Sequence, residues 1–179
     1  MIVFDTETTG LIENIAIPLK QQPQIVELCA IKIDDQTLEE VGCWTSLFKV
    51  KSMHEDAFKT HGISLEMLRG EPTFAEMFES LCEFFLGERT LIGHNLSFDR
   101  DQLAMEIRRL GKACAFPWPY RHVDTVEVTE GWEGFRLGLT KLHEKLFGEG
   151  FPEAHRAEAD TRATARCVVE LVKRGDIVL

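Results

Sequence analysis

No apolar run in the sequence is long enough to cross a membrane, and no basic n-region followed by an apolar core opens it. Neither a spanning helix nor a cleaved secretory leader is expected. There is no CxxC pair. The five cysteines, Cys29, Cys43, Cys82, Cys114 and Cys167, are widely spaced and odd in number. The odd count and wide spacing argue against a disulfide framework and the missing CxxC against a zinc ribbon, so reduced thiols in a cytoplasmic chain are the expectation. Repeats, low-complexity tracts and linkers are also missing. The 179 residues are therefore read as one domain, 1–179, long enough to bury a core without staples. Positive charge is scarce: 20 Lys and Arg stand against 30 Asp and Glu, a net charge of −10. That balance disfavours coating of DNA, RNA or an anionic membrane by bulk charge. It leaves room for a local phosphate site.

What is present alternates in character along the chain. Met1 to Thr6 reads as a short apolar strand that emerges into the turn signal Thr8-Thr9-Gly10. Ile25 to Ile33 and Val41 to Val50 read as two further strands, joined through Asp34-Asp35-Gln36 as an antiparallel hairpin. Thr73 with Glu76 makes a capping-box pattern, and Phe74, Met77, Phe78, Leu81, Phe84 and Phe85 follow at helical spacing. Thr90 to Asn95 predicts a strand, Phe98 to Leu110 a helix and Arg121 to Val126 another strand. Leu139 to Phe147 and Ala157 to Lys173 predict the last two helices. Three strands followed by alternating helix and strand indicate an α/β fold, a mixed sheet with helices packed on it.

Three segments carry candidate chemistry. Asp5 and Glu7 sit two apart in a strand, so their side chains project to the same side. Two carboxylates so close repel unless a cation lies between them, and a divalent metal with oxygen ligands is the natural compensation. Alone, the pair reads better as solvated residues at a fraying strand end. The run Gly93-His94-Asn95-Leu96-Ser97-Phe98-Asp99 delivers polar groups to a strand end where a helix starts. Asp99 there is either a functional carboxylate or ordinary helix capping. The third segment is His155 with Asp160 five residues on. Asp160 shares a helical face with Ala163, Thr164, Cys167, Val168 and Leu171. An Asp on a packed face needs a partner or a metal. His155 is read as a loop residue, either a surface histidine or a general base, since imidazole changes protonation near neutral pH. Taken together, four carboxylates and a histidine at element ends fit two-metal phosphodiester hydrolysis, in which two ions about 3.5–4 Å apart flank the scissile phosphate.

The ordered set Phe4-Asp5-Thr6-Glu7-Thr8-Thr9-Gly10-Leu11, His94-Asn95-x-x-Phe98-Asp99 and His155-x4-Asp160 resembles the three motifs of the DEDDh (DnaQ-like) 3′–5′ exonucleases. Ile25-Val26-Glu27-Leu28, Ala57-Phe58-x-x-His61-Gly62-Ile63 and Pro72-Thr73-Phe74 look like its proofreading-subunit branch. The histidine five residues before the last Asp marks the DEDDh branch rather than the tyrosine branch. The resemblance implies an RNase H-like fold, with a five-stranded mixed sheet flanked by helices. It implies that Asp5, Glu7 and Asp160 bind the ion that activates water, that Asp5 bridges to a second ion supported by Asp99, and that His155 is the general base. The ions would be Mg²⁺ or Mn²⁺, as oxygen-only ligands favour. The resemblance also gives Thr8, Thr9, Gly10 and Leu11 contacts to the terminal nucleotide. His61 and Phe98, with Asn95, would line its base and sugar pocket; Phe98 as core and His61 as a helix end are the plainer alternatives.

The implied activity is release of nucleoside 5′-monophosphates from a single-stranded nucleic acid 3′ end, with DNA favoured over RNA. The alternatives are an exoribonuclease that trims RNA ends and a non-catalytic binding or adaptor domain. All five catalytic positions are filled, which weighs against the last. Arg156-Ala157-Glu158-Ala159 is bulkier and more charged than in many relatives. The chain stops at Leu179, soon after the last helix, so no tail for a stable polymerase contact is expected and a stand-alone nuclease is favoured; the oligomeric state is left open. Arg100, Arg108, Arg109, Lys112 and Arg121 could form a track for the strand's phosphates; a solvated helix face explains Arg108, Arg109 and Lys112 equally well.

Overall fold

The computed structural model describes residues 1–179 apart from 13, 15 and 153. Its centre is β1 (Ile2–Thr8), paired antiparallel with β2 (Ile25–Ile33), which pairs antiparallel with β3 (Glu40–Leu47). On the other side of β1, β4 (Thr90–Gly93) and β5 (Arg121–Asp124) run parallel to it. The five strands lie in the order β3-β2-β1-β4-β5. The hairpin between β2 and β3 turns where expected, because the Asp34 carboxylate accepts from the backbone N–H groups of Gln36 (2.9 Å) and Thr37 (2.7 Å).

Helices cover both faces. The predicted apolar stripe forms α2 (Phe74–Phe85), started by the capping box: Thr73 N–H donates to Glu76 Oε2 at 2.7 Å, and Glu76 N–H donates back to Thr73 Oγ1. With α3 (Leu96–Arg109) it buries Ile2, Phe4, Leu28 and Ala30 from the sheet. The alternate residues Met1, Val3, Cys29, Ile31 and Ile33 face the last helix, α6 (Ala157–Arg174), through Val168 and Leu171. The period-2 alternation of a strand thus separates two cores. That alternation decides which face each candidate side chain reaches.

Several boundaries differ from the sequence reading. β4 ends at Gly93 and not at Asn95, because Asn95 takes a left-handed conformation (φ 67°) that no strand continues. β5 ends at Asp124 and not at Val126, because the Asp124 carboxylate accepts from Val126 N–H (2.9 Å) and starts a helical turn, α4 (Thr125–Val128). β3 stops at Leu47 as the chain leaves the sheet, with Lys49 N–H donating to Pro72 O. α1 (Glu55–His61) is not anticipated by periodicity: only His61 of its seven residues is buried, so it carries no apolar stripe. Gly62 ends it at φ 71°, a conformation that favours glycine. α5 (Leu139–Phe147) forms where the sequence predicts it and packs on α6.

Candidate active site

Asp5 and Glu7 are odd-numbered in β1, so they follow Met1 and Val3 onto the α6 side of the sheet. Asp160 comes from the first turn of α6, three residues after its start. One oxygen from each of the three carboxylates lies within 4.8 Å of the others. Thr6, between Asp5 and Glu7, faces the opposite way and is buried. There it meets Asp99 in the first turn of α3: Thr6 N–H (2.9 Å) and Oγ1–H (2.7 Å) both donate to Asp99 Oδ1. The last turns of β1 are therefore held between two helices, each bringing one acid.

Negative charge accumulates at this end of β1, with Arg156 close enough to oppose part of it. Burial pushes the Glu7 carboxyl up from 4.5 to about 8, with Asp160, Glu27 and Asp99 adding to the rise and Arg156 opposing it. Asp5 is raised well above the ordinary range, by burial first and then by the charges of Asp99, Asp160, Glu7 and Glu27. Asp99 rises to about 7 through burial, against which the two Thr6 hydrogen bonds pull. Asp160 is also raised by burial, and its hydrogen bond from the His155 backbone opposes the shift. Carboxylates brought together at this cost in ionisation fit a site for hard divalent ions, which prefer oxygen donors. Asp5, Glu7 and Asp160 form a ligand set that fits; Asp99 lies beside it.

His155 precedes α6 in an exposed, left-handed conformation (φ 71°), and its backbone N–H donates to Asp160 Oδ2 at 3.0 Å. The remaining sequence-derived residues fall into two groups. Thr8 and Thr9 are buried, whereas Gly10 is half-buried and Leu11 exposed. Thr9 N–H donates to Gln24 O at 2.8 Å and Thr8 Oγ1–H to Gly10 O at 2.7 Å, which fixes the turn. A Cβ on Gly10 would stand 2.8 Å from the His54 ring, so a side chain there would have to displace that ring. Asn95 is exposed and Phe98 half-buried at the start of α3, and Phe98 joins none of the buried clusters. His61 is buried. Its Nδ1 accepts from Ile63 N–H (3.0 Å), which leaves Nε2–H to donate to Thr8 O (3.2 Å). Both ring nitrogens are engaged by backbone, so His61 braces the end of β1.

Other residues outside the proposed catalytic set support the site. Asp124 accepts from Asn95 N–H at 2.9 Å, holding the unusual backbone at the start of α3. Glu27, buried on β2, pairs with Arg156. A carboxylate inside the apolar run Ile25-Val26-Glu27-Leu28 was the available hint for Glu27. Arg109 does not belong to a phosphate track. Its guanidinium donates to the carbonyls of Gln22 (2.8 Å) and Pro23 (2.6 Å) and pairs with Glu106, tying α3 to the loop that enters β2.

Comparison with known proteins agrees with this geometry. The RNase_T family model, described as exonuclease, matches residues 2–168. The PolC-type DNA polymerase III of Staphylococcus haemolyticus is 30% identical, over 97% of this chain but 11% of its own length. The chain thus spans a small part of that curated relative. Among solved structures, the nuclease domain of 3′hExo, a DEDDh family member bound to rAMP, superposes with a TM-score of 0.78 at 16% identity, over 97% of this chain and 92% of the other. E. coli exonuclease I in complex with a dT13 oligonucleotide superposes with a TM-score of 0.74 at 19% identity, over 97% of this chain and 41% of the other. At these identities the likeness is one of fold, and that fold is RNase H-like.

Proposed function

The chain belongs to the RNase_T family of DEDDh 3′–5′ exonucleases, and from that premise we propose that it removes nucleoside 5′-monophosphates from single-stranded DNA with two divalent ions and a histidine base. In this reading residues 1–179 act as one catalytic unit. The observation that carries the proposal is the meeting of Asp5, Glu7 and Asp160 within 4.8 Å, with His155 joined to Asp160 through its backbone.

Asp5, Glu7 and Asp160 would hold the first ion, and Asp5 with Asp99 the second. Mg²⁺ or Mn²⁺ bound there supplies Lewis acidity, which lowers the pKa of water and offsets charge on the phosphodiester. Thr6 keeps Asp99 fixed by two hydrogen bonds, so that carboxylate needs no rearrangement to serve. His155 takes the proton from the attacking water. Its exposure leaves a route for returning that proton to solvent. The Thr8–Leu11 turn meets the terminal nucleotide, Leu11 offering the exposed apolar contact. Asn95 and Phe98, at the start of α3, would line the base and sugar of that nucleotide. His61 contributes by holding Thr8 in place.

The likeness to a domain bound to rAMP supports an RNA-trimming alternative that keeps the same chemistry. The two differ at the 2′-OH of the terminal sugar. The test is incubation with single-stranded DNA and RNA of equal sequence, each with Mg²⁺, Mn²⁺ or EDTA. Metal-dependent shortening that is faster on DNA is expected. Faster shortening of RNA would replace the DNA reading with the alternative, and no shortening of either would end both.

A further inference from the structure

We propose that Glu27 and Arg156 are positioning residues that lock the His155 segment over the carboxylate cluster. The proposal rests on the reading of His155 as the general base. Glu27 lies on β2 directly opposite Glu7 on β1, with a side chain only 5% exposed. It is not part of the group that could hold a metal, which among the described residues comprises Asp5, Glu7 and Asp160. A further buried carboxylate beside that cluster makes Glu7 and Asp160 harder to ionise, so its presence needs another reason.

Its hydrogen bonds give that reason. Oε1 accepts from Arg156 NH2 at 2.7 Å, and Oε2 accepts from Arg156 Nε at 3.0 Å. Oε2 also accepts from the backbone N–H of Ala157 at 2.9 Å, the first residue of α6. The two-point guanidinium–carboxylate contact is directional as well as strong. The bond to Ala157 caps α6 from a neighbouring strand, satisfying an amide that the helix itself leaves without a partner. Three consecutive residues are thus tethered: His155 to Asp160 through its N–H, Arg156 to Glu27 through its side chain, and Ala157 to Glu27 through its N–H.

His155 needs such a frame. A non-glycine residue at φ 71° is held in a sparsely populated conformation that persists only where its surroundings impose it. The residues on its C-terminal side supply that constraint, and they anchor it to the strand that pairs with the bearer of Asp5 and Glu7. Arg156 also places a positive charge against Glu27, which keeps the extra carboxylate from adding its full repulsion to the cluster.

The test is a double-variant cycle on the full chain. Arg156→Gln should lower kcat about 10–100-fold, the range typical of residues that orient a functional side chain. KM for single-stranded DNA should stay unchanged, and the binding of Mn²⁺ followed by calorimetry should change far less than kcat. Arg156→Lys should rescue little, because an ammonium cannot make the two-point contact. In a His155→Ala background, Arg156→Gln should cost nothing further. An equal loss with and without His155, or a loss that tracks Mn²⁺ affinity, would overturn the proposal. Glu27→Gln provides a second variant from the other side of the pair, and full activity in it would overturn the proposal too. Hydrogen exchange at the His155 and Ala157 amides should quicken in Arg156→Gln, and unchanged exchange would contradict the lock even if the exonuclease reading itself failed. That separate failure would show as full activity of His155→Ala.

Discussion

Carboxylates gathered in a half-buried site resist ionisation, and here the resistance is uneven. Glu7 is raised to about 8 and Asp99 to about 7, both chiefly by burial. A folded-state value above the unfolded one means that the folded chain holds more protons between the two values. Stability is therefore fullest below about pH 4.5 for Glu7 and is lost as pH rises toward about 8. The melting temperature of metal-free protein should fall from pH 5 to pH 8 in a calorimetric series. Added Mn²⁺ should raise it at pH 8 more than at pH 5, because protons compete for the same oxygens. Asp5→Asn relieves the same repulsion. It should raise the metal-free melting temperature by about 2–4 °C, the shift that ~1 kcal/mol gives in a chain of this size, while removing activity. A drop in melting temperature would argue that the carboxylates are not repelling one another. Asp5, Glu7, Asp99, His155 and Asp160 are legible in the sequence because each sits at a fixed offset inside a short local pattern. Glu27 is not, since its partner lies 129 residues away and a single acid in an apolar run does not name the residue it meets.

Element ends, more than elements, build the site. β1 ends beside two acids, α3 begins on a left-handed Asn95, and α6 begins on a tethered Arg156. Asp124 illustrates how one side chain serves two such ends: its Oδ1 accepts from Asn95 N–H and from Val126 N–H, both at 2.9 Å. Asp124→Ala should destabilise by about 1–2 kcal/mol, the usual cost of a lost cap. It should also slow turnover, because Asp99 is carried by the helix whose start is released. Urea denaturation and initial rates check the two halves, and a stability loss with full turnover would separate Asp124 from the site. Long periodic segments such as α2 and α6 can be read from spacing alone. The short helix α1 cannot, because His61 is its single buried residue. The strands expected to reach Asn95 and Val126 end earlier because the features that stop them, a left-handed Asn95 and the Asp124 cap on Val126 N–H, leave no mark in composition.

The sheet order assembles the site at the scale of the whole molecule. β1 is central, so α6 on one face and α3 on the other can both reach its end, and segments far apart in sequence converge. The net charge of −10 takes on meaning there. Three of the acids, Asp5, Glu7 and Asp160, meet at one place, and in the proposed reading phosphate is attracted there only once cations offset them. Outside that place the acidic surface opposes extended contact with a polyanion, consistent with an enzyme that grips a terminus. His155→Ala should lower the rate by about 100-fold or more, as loss of a general base does, while leaving Mn²⁺ binding intact. A near-full rate from pH 6 to 9 would remove its role. The most direct test of the central claim is the identity of the first product released from single-stranded DNA labelled at its 3′ end, with Mg²⁺ or Mn²⁺ present. The account predicts a labelled nucleoside 5′-monophosphate at the earliest time point and none in EDTA; internal cuts, release from the 5′ end or a nucleoside 3′-monophosphate would contradict it.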